Sequence, residues 1–372
     1  MGDLKARLLS RDGWPFVLVP FIPVAVVLEL VHGGPTLIFA TSALGVIPTA
    51  ALMGRATEEL ADRSGPGIGG LLNVTFGNLP ELLIAFFALL AGLQEVVKAS
   101  IMGSILGNIL LVLGASMLVG GLGRDQQSFN RRAASAQATM LILASAALVM
   151  PAVFQVVKGG GLPVPGAEPP DYSSSVEQLS LAVAVVLLVS YCAGLWFSLK
   201  SHRDLFNPPE DEGWDEDAEP WSVKRSVTLL AAAGLTVGLM SEILVGSIEE
   251  TAESIGLSQF FIGIIIVAIV GNAAEHWVAV YVAFKDKMDL AVNIAVGSSA
   301  QVALFVGPLL VVLSFFFGPK PLALVFNPFE LAALLLAVLI AIHVASEGES
   351  TWFEGLLLLA IYTVLAVTFL FA

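Results

Sequence analysis

Two short strings carry the chemistry of this sequence: Gly77-Asn78-Leu79-Pro80-Glu81 and Gly271-Asn272-Ala273-Ala274-Glu275. Both read Gly-Asn-x-x-Glu, and both put a carboxylate inside a long apolar run. In each copy the motif glycine stands 26 residues before a Gly-Ser pair, Gly103-Ser104 and Gly297-Ser298. An ionised carboxylate in the middle of a bilayer costs a few kcal/mol or more, so two of them need a partner. No Lys or Arg is expected within the apolar core of any span, which leaves a ligand as the countercharge, either a bound cation or protons. Glu81 and Glu275, the amides of Asn78 and Asn272, the hydroxyls of Ser104, Ser298 and Ser299, the amides of Asn108 and Gln301, and carbonyls at Gly77 and Gly271 would together form an all-oxygen site. Hard cations favour such sites, and calcium takes six to eight oxygens in a flexible cage. A single cysteine, Cys192, and the absence of a histidine cluster argue against zinc or copper.

The elements that would hold these groups are membrane helices. Of 372 residues, 57% are hydrophobic and 13% charged, and the mean hydropathy is +0.88; this is far from soluble averages. The formal charge of −14 does not indicate a soluble acidic protein, because the acids gather in loops. At about 20 apolar residues per span, the chain divides into eleven, at 15–32, 35–53, 67–91, 96–120, 133–157, 176–199, 223–247, 257–284, 288–317, 323–344 and 352–371. With the N-terminus in the cytoplasm, only Lys98, Lys158 and Lys320 of the 17 Lys and Arg fall outside. The positive-inside rule therefore sets the N-terminus inside and the C-terminus outside. No leader cleavage site follows Met1–Asp12 convincingly, and the first span is expected to be retained.

The motifs fall on spans three and eight. An odd offset of five reverses direction through the membrane, so the copies are inverted, as in secondary transporters. The expected fold is all-α and integral to the membrane: an N-terminal segment with one extra helix (1–34), a five-helix repeat (35–200), an acidic cytoplasmic loop (201–221) and a second, inverted five-helix repeat (222–372). Glu58-Glu59 before the first motif echoes Glu249-Glu250 before the second.

Residues four apart share a helix face. Gly69, Asn73, Gly77, Glu81 and Ala85, and likewise Gly263, Val267, Gly271, Glu275 and Ala279, form stripes of mostly small residues broken by one carboxylate. Gly77 and Gly271 are read either as packing glycines or as carbonyl donors, and Ser104 and Ser298 either as small interface residues or as site hydroxyls. Pro80 withholds a backbone donor and frees a carbonyl one turn earlier; a break in the second copy would have to rest on Gly271 and Asn272. His276, whose place in the first copy is Leu82, either relays protons or is structural. Glu242, Glu249 and Glu250 line an entrance or are a solvated helix end. The acidic loop, with Glu210, Asp211, Glu212, Asp215, Glu216, Asp217 and Glu219, either gathers divalent cations or is a solvated linker.

At these residues the chain resembles the cation/proton exchanger (CAX) family of the calcium/cation antiporter superfamily. The matching segments run from Gly70 through Asn78 to Glu81, from Ser100 to Asn108, from Gly271 to His276, and from Ala295 to Gln301. The resemblance covers nearly the whole chain and implies Ca2+/H+ antiport. Glu81 and Glu275 would bind calcium and alternately protonate, with carbonyls of Gly77 and Gly271 and polar contacts from Asn78, Asn272, Ser104 and Ser298. Asn108, Ser299, Gln301 and His276 are expected nearby or on a proton path. Leu79-Pro80 looks more like the sodium/calcium branch, while Asn78, Asn272 and His276 favour the proton branch.

Three rivals stand beside that reading. Within transporters it is sodium-coupled calcium exchange. A cation channel would be a symmetric ring rather than two inverted halves. An intramembrane metal-dependent hydrolase is the enzyme alternative, but the Glu275-His276 pair lacks the second histidine, since position 280 is Val280. No enzyme activity, resident cofactor or nucleic-acid partner is expected; Ca2+ and H+ are the substrates and the lipid bilayer the surroundings. A bacterial inner membrane is the expected location, with a homo-oligomer left open.

Overall fold

The computed structural model describes residues 13–167, 170–201 and 221–372. The acidic-loop residues from Glu210 to Glu219 and the basic residues before Asp12 lie outside them. The regular structure of the described residues is helical apart from one two-residue strand pair.

A 3-10 turn at Trp14–Leu18 leads into α1 (Phe21–Leu30). Then follow α2 (Pro35–Gly77) and α3 (Leu79–Leu90), and α4 (Gln94–Gly121), α5 (Arg131–Val157) and α6 (Ser174–Lys200). The later part holds α7 (Val223–Gly246), the short α8 (Ile248–Ile255), α9 (Gln259–Phe284), α10 (Met288–Ser314), α11 (Pro328–Glu347) and α12 (Trp352–Leu370). Among the described residues nine helices are long and apolar enough to cross a membrane. The spans expected at 15–32 and 67–91 are instead represented by the shorter apolar helices Trp14–Leu30 and Leu79–Leu90.

Helix α2 has 43 residues. A straight helix of that length would measure about 65 Å, twice the apolar thickness of a bilayer. It folds back instead. A Cβ placed on Gly69 would run into the backbone of Ala61, eight residues earlier, a position about 12 Å away along a straight helix. The helical stretch is thus two antiparallel limbs, and only glycine at position 69 lets them touch.

Helix starts follow from their caps. The Asn130 side chain accepts from the backbone of Arg132 and Ala133, Ser258 from Phe261, and Asn327–Glu330 and Thr351–Glu354 form reciprocal capping boxes. Where apolar runs are closely spaced, glycine turns the chain: Gly92 and Gly256 have φ of 79° and 70°.

Packing brings α2 along α7 and α4 along α9, with α12 against the end of α4. The α4–α9 contact depends on small residues. A side chain on Gly103 would enter the Ile264 carbonyl and the Ala268 methyl, and one on Gly263 would meet Ala99 at 2.9 Å. Because 99 pairs with 263 and 103 with 264 and 268, the two helices run parallel. Strand β1 (Gln127–Ser128) pairs antiparallel with β2 (Glu349–Ser350), Gln127 opposite Ser350. This clasp joins the turn after α4 to the turn after α11.

Four π-helical turns interrupt the central helices, at Gly107–Val112 in α4, Ile262–Val267 in α9, and Asn293–Gly297 and Val302–Val306 in α10. With Gly103 and Gly297 as equivalents, the first and last fall at matching positions of the two repeats. Such bulges mark functional places in helices.

Candidate cation site

The chain breaks at the first motif. α2 ends at Gly77, Asn78 leaves helical geometry at φ −89° and ψ 8°, and α3 restarts at Leu79. Pro80 explains it, since it offers no N–H to the carbonyl of Phe76. Glu81 therefore lies in the first turn of α3, where unsatisfied amides favour a negative charge.

The second motif differs. Gly271 and Asn272 sit inside an unbroken helical stretch, Ala268–Phe284, so the freed Gly271 carbonyl expected there is not observed. Without a proline the hydrogen-bond ladder stays intact, and the irregularity moves one turn earlier, to the π turn at Ile262–Val267.

Each glutamate lies over the other copy's glycine. A Cβ on Gly77 would stand 3.7 Å from Glu275 Oε1, and one on Gly271 would stand 3.3 Å from Glu81 Cγ. The glycines leave room for the opposite carboxylate, so packing is their visible role.

The polar neighbours orient the oxygens. Ser298 donates to Glu275 Oε2 at 3.1 Å. Asn272 Nδ2 donates to Ser104 Oγ at 3.1 Å and to the Ala268 carbonyl at 2.9 Å. Asn78 Nδ2 donates to Gln301 Oε1 at 2.6 Å. The amide donors are thus spent on neighbouring protein groups. Glu81 Oε1 and Asn272 Oδ1 remain buried without a hydrogen-bond partner. Buried acceptors left unmatched are costly unless something positive or protonated meets them.

Among the supporting residues, Ser299 turns to the Ala295 carbonyl at 2.9 Å. Asn108 is fully buried in the α4 bulge with its Nδ2 unmatched, and His276 has a buried, unmatched Nε2. Glu242, Glu249 and Glu250 are exposed and line neither of the cavities at the site. Among the described residues no three His, Cys, Asp or Glu side chains gather as a metal cluster. Two carboxylates with neutral oxygens are what the site offers.

Access is unequal. A cavity of about 240 Å³, lined by Trp14, Arg55, Glu58, Gly77, Glu275 and Ser298 among others, reaches Glu275. On the opposite side, the space bounded by Glu81, Ser100, Ser104 and Val302 measures about 10 Å³, close to the minimum for one water. Glu58 lines the wide cavity together with Glu275. In the sequence Glu58 shows only as an echo of the second copy; its place in the cavity comes from the packing of α2 beside α9.

One buried cation was not legible in the sequence. Lys98 lies within α4 and is only 4% exposed, its Nζ donating to the Val325 carbonyl at 2.8 Å. Glu330, 2% exposed, is the nearby buried acid. A cation is thus buried in the first turns of α4. It sits at the end of α4 before Ser104, against the extended chain preceding α11, and a hydropathy count cannot foresee the loop that covers it.

Long apolar helices enclosing a half-broken helix, two facing carboxylates and unequal access from the two sides define a secondary transporter. The model of the sodium/calcium exchanger protein family matches residues 34–200 and 225–371. A Ca(2+)/H(+) antiporter, ChaA, of Bacillus subtilis (strain 168) is 45% identical over 357 residues, covering 95% of this chain and 98% of that protein. A Ca(2+)/H(+) antiporter of Aphanothece halophytica is 42% identical over 379 residues, 98% of each chain. The solved structure of native YfkE superposes with a TM-score of 0.81 at 42% identity, over 96% of this chain and 100% of that one. This chain belongs to the sodium/calcium exchanger protein family. It is a transporter, and the hydrolase alternative falls.

Proposed function

We propose that this chain is a secondary active antiporter that exchanges Ca2+ for H+ across a membrane by alternating access. Glu81 and Glu275 hold either the calcium ion or protons, with Asn78, Asn272, Ser104, Ser298 and the backbone at Gly77 completing the site, while Gly271 leaves room for Glu81. The observation that carries the reading is the reciprocal Glu–Gly arrangement, with Glu81 Oε1 and Asn272 Oδ1 buried and unmatched. Relatives whose names state Ca(2+)/H(+) antiport, aligned over nearly the whole chain, support the same reading.

Exchange rather than leak follows from charge. With both carboxylates ionised and nothing bound, the site carries two negative charges, and moving it past an apolar gate is costly. One Ca2+ cancels them; two protons do the same. Only the loaded forms reorient.

The proposal extends to the plan of the molecule. Residues 35–200 and 222–372 act as two inverted repeats, with 1–34 as an added helix and 201–221 as a cytoplasmic acidic loop. The two stretches matched by the family model, 34–200 and 225–371, support this division. The bias of Lys and Arg supports an N-terminus in the cytoplasm and a C-terminus outside, and the bacterial relatives support a plasma membrane. On that orientation the wide cavity opens to the cytoplasm.

The test is transport in liposomes with an acidic interior and external calcium, following internal calcium and pH without sodium. Calcium entry with interior alkalinisation, abolished by Glu81→Gln and by Glu275→Gln, is the expected outcome. Entry that requires internal sodium would assign sodium exchange. Undiminished transport in both variants would remove the glutamates from the mechanism.

A further inference from the structure

Resting on the exchange proposed above, we infer that Trp221 is a positioning residue for cation entry, holding the Arg55 guanidinium at the rim of the wide cavity and off the path to Glu58 and Glu275. Two guanidiniums lie against one ring. Arg55 Cζ lies 4.9 Å from the centroid of the Trp221 ring and Arg225 Cζ lies 4.6 Å from it. Indole is the strongest cation–π partner among side chains. The ring is itself fixed: Trp221 is 8% exposed and packs with Met53 and Ala56 of α2 and Leu230 and Ala233 of α7. Its backbone N–H donates to Glu59 Oε2 at 2.8 Å.

The neighbouring charges show why the position of Arg55 matters. Arg55 and Glu58 both line the cavity that leads to Glu275, and residues three apart lie on one helix face. The cavity that leads to Glu275 is thus lined by one residue of each sign, and where the guanidinium rests decides whether its charge stands in the way of a cation. Like charge on that path lowers the local concentration of a divalent ion steeply, and narrow low-dielectric walls strengthen the effect. Held on the indole, the Arg55 charge faces an aromatic surface at the rim. Glu59 accepts from the Trp221 backbone, whereas Glu58 lines the cavity. Adjacent acids in α2 thus have separate tasks, one in the ion path and one holding the anchor.

The experiment measures initial rates of calcium uptake against calcium concentration in everted membrane vesicles, for the parent, Trp221→Leu, Trp221→Phe, Arg55→Gln and Trp221→Leu with Arg55→Gln. Trp221→Leu is expected to raise the half-saturating calcium concentration roughly three- to tenfold, with the maximal rate within about twofold of the parent. Trp221→Phe, which keeps an aromatic face, restores most of the affinity. Removing the Arg55 charge in the Trp221→Leu background returns the half-saturating concentration to the parent value, and raised salt narrows the gap between Trp221→Leu and parent. An unchanged half-saturating concentration in Trp221→Leu overturns the inference. So does a defect that Arg55→Gln does not relieve, including a fall in maximal rate from general loss of folding. Glu275→Gln run alongside separates the two levels. If it is inactive while Trp221→Leu behaves as parent, only the role of Trp221 is lost; if it transports normally, the exchange reading itself fails.

Discussion

Ser298 donates to Glu275, whereas the corresponding Ser104 is engaged by Asn272 and leaves Glu81 Oε1 unmatched. The two glutamates are thus equivalent by sequence but not by environment. A hydrogen bond to a charged acceptor contributes about 1.5–3 kcal/mol, so Ser298→Ala is expected to weaken calcium binding by roughly tenfold or more; titration calorimetry of the purified protein measures it. An exposed pair shows the opposite regime. Lys320 Nζ donates to Asp171 at 2.7 Å, and that bond, with the lysine charge, holds the Asp171 carboxyl below its usual range. A depressed folded value means the contribution is present above the ordinary carboxylate range and is lost as pH falls through the folded value. In melts of detergent-solubilised protein, Asp171→Asn is expected to show a small deficit at neutral pH that vanishes in strong acid and in high salt. At this scale the sequence was informative where it repeated itself. Glu81, Glu275, Gly77, Gly271, Asn78, Asn272, Ser104 and Ser298 were all legible from spacing, but which serine meets which carboxylate was not. The burial of Lys98 was not legible, because it depends on Val325, more than two hundred residues away.

At the scale of elements, glycine contacts and helix irregularities decide the architecture. A methyl on Gly103 would press on the Ile264 carbonyl and Ala268, both fixed parts of α9. Overpacking of this kind costs about 1–3 kcal/mol, so Gly103→Ala is expected to lower the melting temperature. Gly234 in α7 has open space where its Cβ would be. There the change removes unfolded-chain entropy, and Gly234→Ala is expected to raise stability by about 0.5–1 kcal/mol. Thermal unfolding followed by circular dichroism compares the two. The break before α3 was legible because Pro80 announces it. The π turns were not, because hydrophobic periodicity reports which residues are apolar and not which carbonyl each amide reaches. The fold-back within α2 was visible only as a gap between two apolar runs, since the polar stretch around Arg63 stays helical as it turns.

For the molecule as a whole, the candidate site adjoins about 240 Å³ of open space beside Glu275 and about 10 Å³ beside Glu81. With the exposed Cys192 replaced by serine, a cysteine at Ala51 on the wide cavity is expected to react at least tenfold faster with a charged thiol reagent than one at Val302 beside the narrow space. Equal rates would contradict one-sided access. The same inequality has an electrical consequence. A water-filled cavity sits near the potential of the solution it opens to, so a transmembrane voltage falls mainly across the sealed layer beyond Glu81. On the proposed exchange, a calcium ion arriving at Glu275 from the open side crosses little of that voltage, and its affinity there is set by chemistry. Each charge carried across the sealed layer is worth about 2.3 kcal/mol per 100 mV. A site neutralised by one Ca2+ or by two protons carries none, whereas an empty site with two ionised glutamates carries two. Voltage therefore acts on the unloaded carrier, as a second barrier to uncoupled return.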